Sequence, residues 1–267
     1  TAFGCADNTT PTSRVPYSGQ GAALTCLPNL DGVITSAELG AAFGVSVAFL
    51  VSPEGVERTI VPAGDVGADG TRTYDWGEDR ADDQALGVSP QPLDRQWFAD
   101  SFPDGEIVLP VDSAGTQLGV YRQDEQAFWL LGTASTEADP AAGRTLIVYD
   151  TPIALFRFPI EDGKSWVSQS TFKNALLLGL PFAGRHTYEV DITGSGELVL
   201  PQLTFAQVLR ARTRLVVEPA IGTAYSVRQI SLVFECFGEV ARATSRLNEP
   251  EADFTTATEV RRIGQNL

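Results

Sequence analysis

The stretch Phe205-Ala206-Gln207-Val208-Leu209-Arg210-Ala211-Arg212-Thr213-Arg214-Leu215-Val216-Val217 decides how this chain is read. Arg210, Arg212 and Arg214 alternate with Leu209, Ala211, Thr213 and Leu215, so three guanidiniums share one face of a strand and the apolar residues share the other. A helix would scatter the arginines around its circumference. The strand is therefore half-buried, and its charged face needs carboxylates across the sheet or a partner outside it.

Outward from this strand the same alternation recurs. Ile230, Leu232 and Phe234 occupy every second place in residues 227–240, and Cys236 continues the series as a small hydrophobe expected to face a core. Residues 255–263 form a last strand. Upstream, 153–158, 166–172, 188–192 and 197–200 read as strands separated by turns such as Glu161-Asp162-Gly163. Gly194-Ser195-Gly196 falls within a strand pair as a bulge or bend. Shorter β-like runs cover 45–51, 56–61, 71–76, 106–111, 117–122, 127–132 and 145–149. Two helices are expected. In one, Thr35 is the cap, Glu38 closes a capping box, and Leu39 to Phe43 form the apolar side. The other spans 94–102, with Trp97, Phe98 and Phe102 on one side. Without alternating helices a doubly wound fold is excluded. The fold class is mostly β: an antiparallel curved sheet, sandwich or half-barrel with one or two short helices.

Charge divides the chain. Of 267 residues with a net charge of −15, the first 150 carry 22 Asp and Glu against 7 Arg, and the remainder carries 12 of each sign. This sets three parts: an irregular N-terminal arm with a short helix (1–44), an acidic β-rich part (45–150) and a neutral antiparallel β part (151–267). An acidic surface repels nucleic acid and anionic membranes, so neither is expected as a partner. No stretch reaches the ~18 apolar residues of a transmembrane helix. The densest acidic piece, Asp65 to Asp83, reads as a solvated loop.

The sequence contains no Met, so Thr1 reads as the start of a trimmed, exported chain, with any lipid anchor lying upstream of it. Cys5 and Cys26 lie close together in the arm and are expected to form a disulfide. Asn29, Asp31 and Glu38 resemble the second half of an EF-hand or dockerin calcium loop, although Leu27 stands where the first carboxylate belongs; Ca2+ is the only cofactor this pattern raises.

No catalytic set emerges. Gly163-Lys164-Ser165 has the ending of a P-loop, but Phe158 stands where its first glycine belongs. His186 is the only histidine; beside Arg185 at a strand edge it reads as a surface residue, and a zinc site needing several His or Cys is excluded. No Gly-x-Ser-x-Gly elbow occurs.

Arg157-Phe158-Pro159-Ile160-Glu161-Asp162-Gly163-Lys164-Ser165-Trp166 resembles the "FP-L-x-x-G-x-x-W" opening of many uncharacterised exported bacterial proteins and lipoproteins. Gly194-Ser195-Gly196-Glu197-Leu198-Val199-Leu200-Pro201, followed by Phe205 to Arg212, is similar to their "G-x-G-x-L-x-L-P … F-x-x-V-L-R-x-R" hairpin. The resemblance covers about residues 145–265. It implies an antiparallel β domain that is secreted or displayed at the cell surface, and it brings no catalytic residues.

Three functional expectations follow. The first is an exported, non-catalytic structural or interaction subunit, in which Arg210, Arg212 and Arg214 dock a protein partner or the acidic part of a second copy. The second is a carrier for an apolar ligand in a curved sheet, with Trp166, Phe172, Leu176, Leu177, Leu178 and Phe182 lining the pocket. The third is a hydrolase using two facing carboxylates, a pair the sequence does not single out among 34 acidic residues.

Overall fold

A computed structural model of the chain describes residues 26–43 and 46–264. Among these the early elements are β1 (Val33–Ile34), α1 (Ser36–Ala42), β2 (Val47–Val51), β3 (Arg58–Thr59), β4 (Asp65–Val66), β5 (Arg72–Asp75), β6 (Gln84–Val88) and β7 (Gln91–Pro92). There follow β8 (Ile107–Pro110), β9 (Gln117–Gln123), β10 (Ala127–Ser135), β11 (Leu146–Arg157), β12 (Ile160–Glu161) and β13 (Ser165–Leu177). The long strands β14 (Leu180–Val199), β15 (Thr204–Pro219), β16 (Tyr225–Phe234), β17 (Gly238–Ser245) and β18 (Thr256–Ile263) complete the chain. The protein is mostly β, as the alternation implies.

One large sheet runs in the order β6-β2-β18-β17-β16-β15-β14-β13-β11-β10-β9-β8-β7. Every pairing along that path is antiparallel. Its two end strands, β6 and β7, are separated in the chain only by Ser89 and Pro90. A sheet this wide whose opposite edges are tied so closely has to curl round on itself, although no ladder closes it into a barrel. The acidic and neutral parts are thus not separate domains. β2 and β6 extend the sheet beyond β18, and position 150 lies inside β11.

Several boundaries differ from the sequence reading. The runs 145–149 and 153–158 merge into β11, and 188–192 and 197–200 merge into β14. Residues 227–240 instead split into β16 and β17, because Cys236 takes a left-handed φ of 66° in the turn between them. The segment 94–102 forms two 3-10 turns, Leu93–Arg95 and Ala99–Ser101, interrupted by extended backbone at Gln96. Its apolar side is nevertheless buried, through Phe98 and Phe102 against Val108, Leu118 and Val120. The bend at Gly194 to Gly196 is present as register shifts between β14 and β15. There β5 runs parallel to β14, and a Cβ on Gly196 would come within 2.4 Å of the Arg72 carbonyl.

The alternation on β15 sorts the two faces of the sheet. Leu209 and Ala211 enter the concave core with Val190, Ile192 and Val233. Arg212 and Arg214 face outward opposite Asp191 and Glu189, their cross-strand neighbours on β14, with Arg214 3.2 Å from Glu189. On β16, Ile230, Leu232 and Phe234 point to the convex side and pack with Tyr74, Trp76, Val240 and Phe254.

The acidic segment lies over this convex surface and is held there by arginines. Arg262 donates to the carbonyls of Trp76 (2.6 Å) and Glu78 (2.7 Å) and pairs with Asp83, both side chains being 4% exposed. Arg58 reaches Asp82 at 2.7 Å, and Arg210 donates to the Pro62 carbonyl at 2.8 Å. Asp82 and Asp83 are paired in this way, while Asp65, Asp69, Asp75 and Asp79 are exposed, as expected of a solvated segment.

The disulfide is also different from the one expected. Cys26 bonds to Cys236, across a sequence separation of 210 and a Cα–Cα distance of 5.6 Å, while Cys5 lies outside the described residues. Cys236 is thus a bridging residue in a turn and not a core hydrophobe. Sequence proximity favoured Cys5 as the partner of Cys26, whereas the fold brings the β16–β17 turn to Cys26. Glu235, 2% exposed, adds to the clasp by accepting the backbone N–H groups of Asn29 (2.7 Å) and Leu30 (2.9 Å). Among the described residues no helix is long and apolar enough to cross a membrane.

Candidate functional site

The concave face holds a cavity of about 420 Å3 that opens partly to solvent. One wall is α1, whose start follows from local chemistry: the Thr35 hydroxyl accepts the Glu38 N–H while the Glu38 carboxylate accepts the Thr35 N–H at 2.8 Å. This fixes the helix so that Leu39, Ala42 and Phe43 face the sheet. Phe43 stacks on Phe128 at 4.5 Å, and Phe128 on Tyr121 at 4.9 Å. The Gln123 side chain of β9 anchors the helix start by donating to the Ser36 carbonyl at 2.6 Å. Opposite lie Leu109, Val111, Leu155, Phe156 and Leu215, apolar side chains left half-buried because protein does not fill the space before them.

The floor of the cavity is polar, and a bulge creates it. Leu232 pairs with Ala241 and Val233 with Glu239, so Val240 is an extra residue on β17. Simple alternation would place Glu239 and Arg242 on opposite faces; the extra residue turns both inward. Arg242 then lies directly across from Arg261 of β18. Two adjacent cations would repel, and Glu239 resolves this. It accepts Arg261 Nε at 3.0 Å and pairs closely with Arg261 Nη2, while its second oxygen accepts the Ser231 hydroxyl at 2.6 Å. Burial pushes the Glu239 carboxyl upward, but Arg261 and Arg242 outweigh it and hold the carboxyl at about 2.

Beside this cluster stands a chain of rings. The Tyr149 hydroxyl lies 2.7 Å from His186 Nδ1, and Tyr188 lines the cavity with them. Burial lowers the His186 imidazole to about 4 and raises the Tyr188 phenol to about 12; Tyr121 and Tyr149 are raised as well. At neutral pH the imidazole is uncharged and all three phenols keep their protons. His186 is therefore not a surface residue: it is 8% exposed, edge-on to Phe172 at 4.7 Å.

The residues singled out in the sequence fall elsewhere. Asn29, Asp31 and Glu38 are close, with Asn29 Nδ2 donating to Glu38 at 3.3 Å. Their oxygens are used locally: Asn29 accepts the Asp31 N–H, Asp31 accepts the Val33 N–H, and Glu38 serves the helix cap. Among the described residues no three His, Cys, Asp or Glu side chains are grouped to hold a metal ion. Arg210 is 6% exposed and bound to Pro62 and Asp253, so it cannot present itself to a partner; Arg212 also meets Asp253, at 3.5 Å. Trp166 and Phe172 are core residues, Leu178 is exposed, and none of the six pocket residues read from sequence lines the cavity.

The chain matches no protein-family model, no curated protein and no solved structure. The site is therefore judged on its chemistry alone. Among the described residues Glu239 is the only carboxylate lining the cavity, and as an ion-paired anion it has no proton to give. A facing pair of carboxylates is not formed there. What the cavity offers is apolar wall, phenolic hydroxyls and cationic guanidinium: the components of a binding site.

Proposed function

We propose that this protein is an exported binding module or carrier for an apolar ligand, held between α1 and the concave face of the sheet. The observation that carries this reading is the cavity itself, about 420 Å3 in volume and walled by half-buried apolar side chains, a size that suits one small molecule. The reading as an assembly subunit draws on the arginine stripe and the acidic segment; Arg210 and Arg214 are paired with Asp253 and Glu189 within the chain, whereas Asp65, Asp69, Asp75 and Asp79 are exposed. The Cys26–Cys236 disulfide supports export, since such bonds persist in oxidising compartments. The resemblance of residues 145–265 to exported β proteins supports it as well.

The test uses N-phenyl-1-naphthylamine, a neutral fluorophore that brightens in apolar surroundings. One probe molecule is expected to bind per chain, with micromolar affinity. Thr133→Trp, which places an indole in the cavity, is expected to abolish the signal while leaving the melting temperature within a few degrees. No brightening with the native protein, or brightening unaffected by Thr133→Trp, would refute the carrier reading.

A further inference from the structure

We infer that the cavity takes a single-chain amphiphile with a carboxylate head, the head seated on Arg242 and the Tyr188 hydroxyl and the chain lying along the apolar wall toward α1. This rests on the carrier reading and adds the chemical class of the ligand.

The two buried arginines are used unequally. Arg261 is held by Glu239 through both Nε, at 3.0 Å, and Nη2, and its guanidinium lies 5.3 Å from the Phe49 ring. Arg242 is held by longer contacts: 3.8 Å to Glu239, 3.3 Å to Glu259 and 3.4 Å to the Val111 carbonyl. A well-made charge-assisted bond is ~2.7–2.9 Å. Arg242 Nη1 has Glu239 at 3.8 Å, outside hydrogen-bond distance. A buried donor left unpaired is costly, and a planar carboxylate matches the fork of a guanidinium in shape and charge.

The whole chain carries −15, yet among the described residues the charged side chains lining the cavity are Arg242, Arg261 and Glu239. Glu259 pairs with Arg242 Nη2 from outside the lining, which makes the group of four neutral overall but leaves Nη1 without a close carboxylate. On the cavity wall itself two guanidiniums accompany one carboxylate, so an anionic head is favoured over a cationic one.

Tyr188 lines the cavity, and its hydroxyl keeps its proton at neutral pH, so it can turn toward an anionic head as a donor. The Tyr149 hydroxyl and His186 Nδ1, which line the same cavity, lie 2.7 Å apart. Arg242 is close enough to Tyr121 and Tyr188 to bias both phenols, so cation and donors converge on one end of the cavity.

The experiment is displacement of bound N-phenyl-1-naphthylamine at pH 8 by hexadecanoate, hexadecan-1-ol and hexadecylamine, which share one chain length. Hexadecanoate is expected to displace the probe at a concentration at least ~10-fold below either of the others, the equivalent of one charge-assisted hydrogen bond. Arg242→Gln should reduce that preference to less than ~3-fold while the probe still binds, and Tyr188→Phe, which keeps every charge, should lower it by several-fold. Equal displacement by the three compounds, or a preference unchanged in both variants, would overturn the inference and leave the carrier reading standing. Failure of the neutral probe to bind the native protein would overturn that reading itself.

Discussion

Replacing Cys26 with Ser is expected to lower the melting temperature by roughly 5–15 °C, from a loss of about 2–5 kcal/mol at ~2–4 °C per kcal/mol. The bond closes a loop spanning a separation of 210 residues, so in the chain-entropy view it removes more freedom from the unfolded chain than a short loop would. The locally bonded segment is small by comparison. It consists of the two N–H groups on Glu235, the two-residue pairing of β1 with β12, and α1. Once the bond is cut, this segment should loosen before the sheet does. Calorimetry gives the shift, and hydrogen exchange should show Ser36–Ala42 losing protection while β14–β16 retain theirs. A melting temperature unchanged by Cys26→Ser, or by reductant on the native protein, would show that the bond does not support the folded state.

The second large effect is expected at Glu239. Glu239→Gln keeps the shape and removes the charge, leaving Arg242 and Arg261 as buried cross-strand neighbours with only Glu259, 3.3 Å from Arg242, to balance them. Breaking a buried ion cluster on one side costs about 3–5 kcal/mol, because Arg261 then stays desolvated without its carboxylate. The pH dependence follows from the same geometry. With the folded carboxyl held at about 2, below its ordinary value, ionised Glu239 stabilises the fold above roughly pH 4.5. That contribution, about 3 kcal/mol, is lost as pH falls through 2. Urea titrations at pH 7 and pH 3 should therefore show a smaller gap between native protein and Glu239→Gln at the lower pH. A gap that does not narrow would mean that Glu239 is not the anion holding the two arginines.

The two effects mark what sequence reading reaches and what it does not. Alternation within one strand is local, so the faces of β15 were legible and with them its need for carboxylates across the sheet, but not which ones, since Asp191 and Glu189 come opposite Arg212 and Arg214 only through the register of β14. The capping box of Thr35 and Glu38 was legible because both its bonds span three residues. The bulge at Val240 was not: it shifts Glu239 and Arg242 to one face, where a period of two sets them apart. The cavity was hidden for a related reason. Its polar floor joins Tyr121, Tyr149, His186, Glu239 and Arg261, which lie on five strands and become neighbours only when the sheet curls. No short motif marks them. The clearest available signal was His186, the chain's only histidine, in an aromatic strand segment beside Tyr188. The partner of Cys26 was hidden likewise, because nearness in sequence pointed to Cys5 and the fold supplied Cys236.

The most direct measurement of the central claim is native mass spectrometry of the intact protein incubated with hexadecanoate. The expected spectrum shows a single adduct of one hexadecanoate per chain that saturates, because the cavity of about 420 Å3 has room for one such chain. No adduct, or a ladder of adducts growing without a plateau, would contradict a single site in the curl of the sheet.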